Sequence, residues 1–381
     1  MKIKSILLIL IPTFLFSSME IALKIAGGSF NPIELNFIRF LIGGLALLPF
    51  AWAYLRKHSI LLSKTDLLRC AATGFVIVVV SMSLYQLSIQ LTDASIVAIM
   101  LSANPIFGLI IGFIFLKEKL SRTNIFALVL TLIGLLVIID PFHLKNPIGI
   151  TLGLLSSIIF GVYGVMSRVH SHKIGINALT MTCLSFLFGA GELAILMGLS
   201  HTGLASFIPK NYSEFVNIPF FQGITWSTLP LILYISVLVT GAAFGLYFVA
   251  MDEVGVVQAS LIFLVKPALA PILALGVLGE AIVPRTIVGI VIILLGSAIT
   301  LVGAKIAYGV ISIFISDSKK PKEEVERQME RDMENLPSDD QPNKNKLTTK
   351  IHDQLENQKE VQAELKEEIQ SHRSSMQEQK N

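Results

Sequence analysis

Five ionisable side chains lie inside long apolar stretches of this 381-residue chain, and their types and positions limit the chemistry they can do. They are Glu20, Lys24, Arg39, Glu192 and Lys266. A charged group at the centre of a membrane helix costs roughly 2.5–3.5 kcal/mol, so such groups usually face a cavity or a charged partner. The chemistry open to them is ion pairing, proton exchange or the binding of a charged solute.

Lys266 lies near the centre of its apolar run and directly precedes Pro267. Proline removes one backbone N–H and displaces the carbonyl four residues back, and such freed polar groups are tolerated at depth only where protein or water satisfies them. Asn104 and Pro105 repeat the pattern in another run. We predict two polar kinks facing one cavity, in which Lys266 holds an anionic group such as a carboxylate. The alternative is a lysine satisfied by freed carbonyls or by a buried acid.

Glu20 and Arg39 lie at similar depth, each about 7.5 Å outward from the centre of its run at 1.5 Å per residue, so they can meet. Glu20 and Lys24 have the i,i+4 spacing that favours an ion pair. In one interpretation these three groups neutralise each other and fix the packing of the first two helices. In the other, Glu20 and Arg39 line a solute pathway, binding the charged ends of a zwitterion or exchanging a proton. Lys24 is expected to extend to the outer membrane interface, and Glu192 fits either role.

Three tyrosines combine an apolar ring with a hydroxyl group, so each can either line a cavity or serve in packing. Together with the charged and amide groups they complete the candidate substrate-binding set. Its members are Lys266, Asn104, Glu20, Arg39, Tyr85, Tyr163 and Tyr247. Glu118 and Glu280 lie at the ends of apolar runs and are expected to be interfacial or capping groups.

The elements that must position these residues are membrane helices. Hydrophobic residues make up 53% of the chain, and the mean hydropathy is +0.70, which is too apolar for one soluble core. Crossing a bilayer takes roughly 20 apolar residues. Ten runs of about that length occur, at residues 5–26, 33–55, 67–89, 94–116, 122–139, 147–167, 177–199, 228–250, 255–278 and 284–308. The first run is interpreted as an uncleaved helix rather than a signal peptide, and the connection 200–227 as a short surface helix or re-entrant segment.

Lysine and arginine are concentrated in alternate short connections between the runs. With the N-terminus inside, the inner connections hold most of these cations and the outer ones hold Lys145, Lys210 and Arg285. Because positive residues mark the cytoplasmic side, both ends of the chain are predicted to be cytoplasmic.

The two halves of the chain resemble each other when the sequence is shifted by 162 positions. Polar, proline, glycine and aromatic positions then coincide in one register. The pairs include Tyr85 with Tyr247, Pro105 with Pro267, Glu118 with Glu280, and Gly134 with Gly296. We predict an all-α integral membrane fold of two five-helix repeats, 1–140 and 141–315, which are inverted relative to each other because five is odd. Inverted repeats are a common design of alternating-access carriers, whose site lies near the midplane.

The paired patterns, Leu84-Tyr85 through Asn104-Pro105 to Glu118 and Leu246-Tyr247 through Lys266-Pro267 to Glu280, resemble the EamA-type drug/metabolite transporters over most of residues 5–308. The resemblance implies a multi-pass carrier in the plasma membrane, often an exporter, for amino acids or other small metabolites. It also implies a central cavity lined by both halves. The charged C-terminal tail departs from the compact family pattern.

The tail, residues 316–381, carries 12 Lys/Arg and 16 Asp/Glu, a net charge of −4, and residues 1–315 carry 18 and 11, a net charge of +7. An acidic tail does not favour nucleic-acid binding. It is predicted to be solvated and partly helical; the alternative is a helix for self-association or for a protein partner.

Enzyme signatures are missing from the sequence. No HExxH, Walker-type loop or GxSxG pattern occurs, so neither an enzyme nor a bound cofactor or metal is predicted. Cys70 and Cys183 lie inside apolar runs and are expected to be core residues rather than metal ligands or disulfide partners.

The leading hypothesis is therefore a secondary active transporter, expected to be an exporter, that moves small organic metabolites such as amino acids by alternating access. The alternative is a non-transporting membrane scaffold or sensor that acts through the tail. A channel is a third and weaker option.

Overall fold

A computed structural model of the chain describes residues 3–117, 122–140, 146–202, 214–254 and 261–296. These residues form helices and the turns between them, and no strand occurs among them. All the described residues lie within one compact unit, Met1–Leu301, and the second unit is Val302–Asn381. Glu118, the end of the tenth apolar run and the predicted tail lie outside the described residues.

Ten long helices occur in the described part of the chain, and they lie where the apolar runs predicted them, with ends shifted by a few residues. They are α1 Ile3–Ala26, α2 Pro32–Lys57, α3 Lys64–Leu91, α4 Ala94–Leu116, α5 Arg122–Ile139, α6 Pro147–Ile174, α7 Ala178–Ser200, α8 over residues 229–254, α9 Leu261–Leu278 and α10 Pro284–Gly296. Seven of them, α1–α4 and α6–α8, are long and apolar enough to cross a membrane. The other three contain shorter apolar stretches. The protein is thus an all-helical, multi-pass membrane protein.

Two helices start at the Asn-Pro pairs that marked breaks in the sequence. The Asn31 side chain accepts a hydrogen bond from the Ile33 N–H at 2.8 Å, and α2 begins at Pro32. Asn146 likewise accepts from the Gly149 N–H at 3.0 Å, and α6 begins at Pro147. A capping side chain satisfies an N–H that the helix leaves free, and proline in the first turn has no N–H to satisfy.

The outer surface of the bundle is apolar. Large side chains such as Phe50, Phe115 and Leu295 are exposed by 65%, 75% and 55%. In water such a surface is an aggregation liability, whereas hydrocarbon solvates it and leaves the helices to satisfy their own backbone groups.

Each of the helices α1–α4 packs mainly against helices from the range α6–α9. Helix α1 packs mainly against α8 and α9, and α2 packs against α7 and α8. Helix α3 packs against α6 and α7, and α4 packs against α6 and α9. These contacts bring together helices that are far apart in sequence, such as α1 and α9.

Irregular backbone occurs within three of the helices. Helices α3 and α8 contain π-helical stretches, Phe75–Ser81 and Tyr234–Ala242, and such stretches are frequent at functional sites. Helix α4 is interrupted at Ala103, immediately before Asn104. Helix α9 runs through Pro267 without a break. The backbone is therefore interrupted beside Asn104, as predicted, whereas α9 stays helical across Lys266 and Pro267, where the kink stays a prediction.

The connection before α8 contains no α-helix in its described part, residues 214–228. Its backbone is tied to α2, because the buried Glu34 carboxylate accepts the Gly223 N–H at 3.0 Å. The expected surface helix is thus not seen there, and residues 203–213 lie outside the described residues.

Two charged side chains cap helix ends. The Glu280 carboxylate accepts the backbone N–H groups of Ala94 and Ser95 at 2.7 and 3.0 Å, at the start of α4, which confirms its predicted capping role. Lys24 donates to the carbonyls of Ile89 and Thr92 at the end of α3. That Lys24 extends to the outer membrane interface stays a prediction; the terminal carbonyls of a helix attract a cation.

Glu280→Ala is expected to destabilise the protein by about 1–2 kcal/mol, because two N–H groups of α4 lose their acceptor. The measurement is the unfolding free energy in mixed micelles under increasing denaturing detergent. Glu253→Ala is the matched control, since Glu253 forms only an exposed ion pair with Lys4, which is worth roughly 0–1 kcal/mol. An equal loss of unfolding free energy in the two variants would show that Glu280 does not stabilise α4 by capping it.

Candidate functional site

A cavity lies between helices α1–α4 and α6–α9. Its volume is about 30 Å³, measured as the room left for the centre of a water molecule, and it opens in part to its surroundings. Its wall is mainly apolar, with polar atoms in a few places. The polar lining residues are Arg39, Ser102, Asn104, Tyr163, Thr240 and Lys266.

Phenylalanine rings form much of the cavity wall. They are Phe16, Phe40, Phe160, Phe186, Phe244 and Phe263. Four of the rings touch in series: Phe40 meets Phe186 with ring centroids 4.7 Å apart, Phe186 meets Phe244 at 5.4 Å, and Phe244 meets Phe16 at 5.0 Å. Aromatic groups in contact offer a broad apolar surface at small entropic cost, which suits an apolar ligand.

A buried ion pair joins α1 to α9 beside this cavity. The Lys266 Nζ lies 2.6 Å from the Glu20 Oε1, and the side chains are 2% and 0% exposed. The Tyr85 hydroxyl of α3 donates to the same carboxylate oxygen. The other oxygen, Oε2, is buried and has no hydrogen-bond partner among the described residues. The charge of Lys266 is thereby compensated, as required where hydration is absent.

Arg39 of α2 is also buried, but no carboxylate of the described residues forms an ion pair with it. Its Nε and Nη2 donate to the Asn36 Oδ1 at 3.2 and 3.1 Å, and its guanidinium lies 4.5 Å from the Phe40 ring centroid. Asn36 is held in turn by Val78, whose carbonyl accepts its amide at 2.9 Å. Within the described ranges, no carboxylate oxygen lies within 4.0 Å of the Arg39 nitrogens.

The expected mutual neutralisation of Glu20, Lys24 and Arg39 was wrong. Glu20 pairs with Lys266, Lys24 binds backbone carbonyls, and Arg39 binds Asn36. The physical reason is helix packing: α1 makes its main contacts with α8 and α9, so the side of α1 that carries Glu20 meets α9. Lys266 forms an ion pair with a buried acid, Glu20, which agrees with the second of its two interpretations. A role in holding a solute stays a prediction.

The other candidate residues are divided between the cavity and its surroundings. Asn104 and Tyr163 line the cavity, and the Tyr163 hydroxyl lies 3.2 Å from the Thr182 Oγ1. Tyr85 is buried against Glu20, whereas Tyr247 packs its ring edge-on against Phe263 at 5.2 Å. Tyr85, Tyr247 and Glu192 are not among the residues that line the cavity.

Sequence reasoning missed the phenylalanine wall, although helical spacing contained a signal for part of it. Phe16 precedes Glu20 by four residues and Phe263 precedes Lys266 by three, so each shares a helix face with a buried charge. Thr240 lies in the π-helical stretch of α8, and no sequence pattern marks such a stretch.

Membrane-crossing helices that enclose a cavity with buried charges form the architecture of a membrane transport protein. The model of the EamA-like transporter family matches residues 3–140 and 147–302. The chain therefore belongs to the EamA-like transporter family, as its paired motifs indicated.

Two relatives are named as uncharacterized transporters. The one from Clostridium kluyveri is 31% identical over 305 residues, which cover 78% of this chain and 92% of the relative. The one from Archaeoglobus fulgidus is 22% identical over 228 residues, or 58% of this chain and 74% of the relative. A solved crystal structure of a protein with 16% identity matches with a TM-score of 0.53, over 79% of this chain and 98% of that one. This last likeness concerns the fold alone.

Proposed function

We propose that the protein is a secondary active transporter that moves small organic metabolites out of the cell by alternating access around the central cavity. The observation that carries the proposal is the buried Lys266–Glu20 pair, which joins α1 to α9 at the edge of a cavity lined by helices from both halves. An ion pair at this depth serves packing poorly, because apolar side chains of similar size usually stabilise as well or better. Retaining it makes sense in a pathway for polar solutes.

Two inverted repeats, 1–140 and 141–315, would supply the two states that alternating access needs. Helices α1–α5 would then correspond to α6–α10. The helix contacts support this correspondence. The contact of α1 with α9 matches that of α6 with α4, and the contact of α2 with α8 matches that of α7 with α3. The π-helical stretches also lie in corresponding helices, α3 and α8. The two stretches matched by the family model, 3–140 and 147–302, agree with these boundaries.

Two of the close glycine contacts between α5 and α10 follow the same correspondence between the repeats. A Cβ on Gly134 would lie 2.8 Å from the carbonyl oxygen of Gly289, and a Cβ on Gly296 would lie 3.0 Å from that of Ala127. In the 162-residue register, Gly134 corresponds to Gly296 and Ala127 corresponds to Gly289. Each contact is therefore the image of the other, which is what a twofold axis between the repeats requires.

The proposed orientation in the plasma membrane places both chain ends in the cytoplasm. The excess of Lys and Arg in alternate connections supports it. The ion pair between Lys4 and Glu253, at 2.6 Å, also supports it, because it places the start of α1 beside the end of α8. After eight crossings the chain returns to the face from which it began.

The test is solute counterflow in proteoliposomes. Liposomes loaded with a metabolite mixture and containing the full chain should accumulate labelled external solute, and the uptake should saturate with concentration. Liposomes without protein give the background. Non-saturating flux without counter-exchange would indicate a channel instead.

Removing residues 316–381 is expected to leave counterflow within about twofold of the full chain, because every residue of the cavity lies before α10 ends. The comparison needs equal amounts of both proteins in the liposomes. If the shortened chain inserts normally and transports normally while the cellular phenotype is lost, the tail carries a second role. If neither protein transports any solute and the phenotype follows the tail, the scaffold or sensor alternative replaces the carrier.

A further inference from the structure

The buried polar cluster beside the cavity holds more positive than negative charge. Lys266 and Arg39 are cations, and Glu20 is the one carboxylate among the described residues that contacts either. The other buried acid, Glu34 of α2, accepts a hydrogen bond from the Gly223 N–H. The cluster therefore carries a net charge of +1 in a site from which bulk water is largely excluded.

An uncompensated buried charge is costly, and the cost is relieved by a ligand of opposite charge. Lys266 already has its counter-ion at 2.6 Å. Arg39 has the amide oxygen of Asn36 and aromatic faces, which attract a cation more weakly than a carboxylate does. Its remaining N–H groups have no acceptor in the described structure, and the residue lines the cavity. Arg39 is thus the group that an anion entering the cavity would meet with its charge still unmatched.

A cation or the ammonium of a zwitterion would find no equivalent partner. No carboxylate belongs to the lining of the cavity. Glu20 is not among the lining residues; its Oε1 is bound by Lys266 and Tyr85, and its Oε2 is buried. An ammonium in the cavity would lie among cations, and like charges at close range oppose binding.

From these charges we infer that the cavity takes an organic monoanion, a monocarboxylate with an apolar body, and discriminates against the amino acid of the same size. Arg39 anchors the carboxylate, and the phenylalanine rings move apart to accommodate the apolar body, because the cavity as it stands has room for only a few water molecules. Asn36 is a positioning residue, since its oxygen holds the guanidinium and its amide is fixed by the Val78 carbonyl. This inference rests on the proposed function, because it names the substrate class of that same cavity.

The experiment is calorimetric titration of the full-length protein in nanodiscs with two matched triplets of ligands. One triplet is 3-phenylpropanoate, L-phenylalanine and 2-phenylethylamine. The other is 4-methylpentanoate, L-leucine and 3-methylbutylamine. Acetate and inorganic phosphate test for an anion without an apolar body. In at least one triplet the carboxylate is expected to bind at least about tenfold more tightly than the amino acid, which is about 1.4 kcal/mol, and the amine is expected to bind least.

Variants of Arg39 test the anchor. Arg39→Gln is expected to weaken carboxylate binding by about 10- to 100-fold, and Arg39→Lys by less, because lysine keeps the charge without the planar fork. Arg56→Gln is the matched control, since Arg56 is an exposed arginine near the end of the same helix. Size-exclusion profiles show whether each variant is folded. If Arg39→Gln does not fold, the order of the binding affinities within each triplet, measured on the unaltered protein, still tests the inference.

Three results would overturn the inference: tighter binding of the amino acid or amine in both triplets, acetate or phosphate binding as tightly as the carboxylates, or no binding of either carboxylate. Counterflow with the same ligands keeps the two proposals separate. Carboxylates that bind without being exchanged contradict the carrier and leave the anion site intact. Saturable exchange that prefers the amino acids contradicts the anion site and leaves the carrier intact.

Discussion

Lys266→Ala is expected to lose at least about nine-tenths of transport and to destabilise the protein by about 3–5 kcal/mol, while the chain still inserts into the membrane. Removing the ammonium leaves the Glu20 carboxylate, which is fully buried, with Tyr85 as its remaining partner. Breaking a buried pair on one side has a cost of this size, because the remaining charge keeps its desolvation penalty. The measurements are counterflow in proteoliposomes and unfolding under denaturing detergent.

A second variant separates stability from transport. Glu20→Gln combined with Lys266→Met replaces the pair by neutral side chains of similar size, so stability should return to within about 1 kcal/mol of the unaltered protein. Transport should stay low, because the charged group beside the cavity is absent. Lys57→Ala, at the exposed end of α2, is the control for loss of a lysine. Normal transport by a folded Lys266→Ala variant would remove Lys266 from the mechanism.

Gly189→Val is expected to disrupt the packing of α7 on α3, with a loss of about 3 kcal/mol or more and a large fall in the yield of folded protein. A Cβ at this position would lie 2.6 Å from the Gly74 carbonyl oxygen and 2.6 Å from the Val78 Cβ. A backbone oxygen cannot move aside as the end of a flexible side chain can, so the two helices must separate. Overpacking typically costs 1–3 kcal/mol, and a contact with backbone lies at the upper end.

Gly191→Val is the matched control for this substitution. Gly191 lies two residues further along the same helix, and a Cβ there meets nothing within 4 Å. The cost of placing valine in a helix is the same at both positions, so the difference between the two variants isolates the helix contact. Similar stability of both variants would show that α3 and α7 do not approach as closely as the structure has them.

The transport prediction depends on this same contact. The π-helical stretch Phe75–Ser81 of α3 follows Gly74 directly, and its residue Ile77 lines the cavity. Moving α3 away from α7 would therefore shift one wall of the site as well as lower stability. In Gly189→Val, transport and stability are expected to fall together. In the Lys266 variants they are expected to separate, because the Glu20→Gln and Lys266→Met double variant recovers stability without recovering transport.

Helix positions and helix starts follow from local chemistry, and the sequence was sufficient for both. Apolar runs of membrane length marked the helices, and the Asn-Pro pairs at Asn31 and Asn146 start α2 and α6 because a side-chain acceptor and a proline suit a first turn wherever it occurs. The family resemblance was also readable, since its paired motifs depend on residue types at fixed spacing. Glu280 was predicted as a capping group for a related reason: a carboxylate at a helix end seeks free N–H groups.

The partners of the buried charges depend instead on which helices pack together and how each is rotated about its axis. Depth along the helix placed Glu20 level with Arg39, yet the face of α1 that carries Glu20 meets α9, so Lys266 is its partner. The lack of an ion-pair partner for Arg39 and the phenylalanine wall arise in the same way from the assembled bundle. Spacing along one chain specifies a helix face, but the surface opposite that face belongs to residues hundreds of positions away.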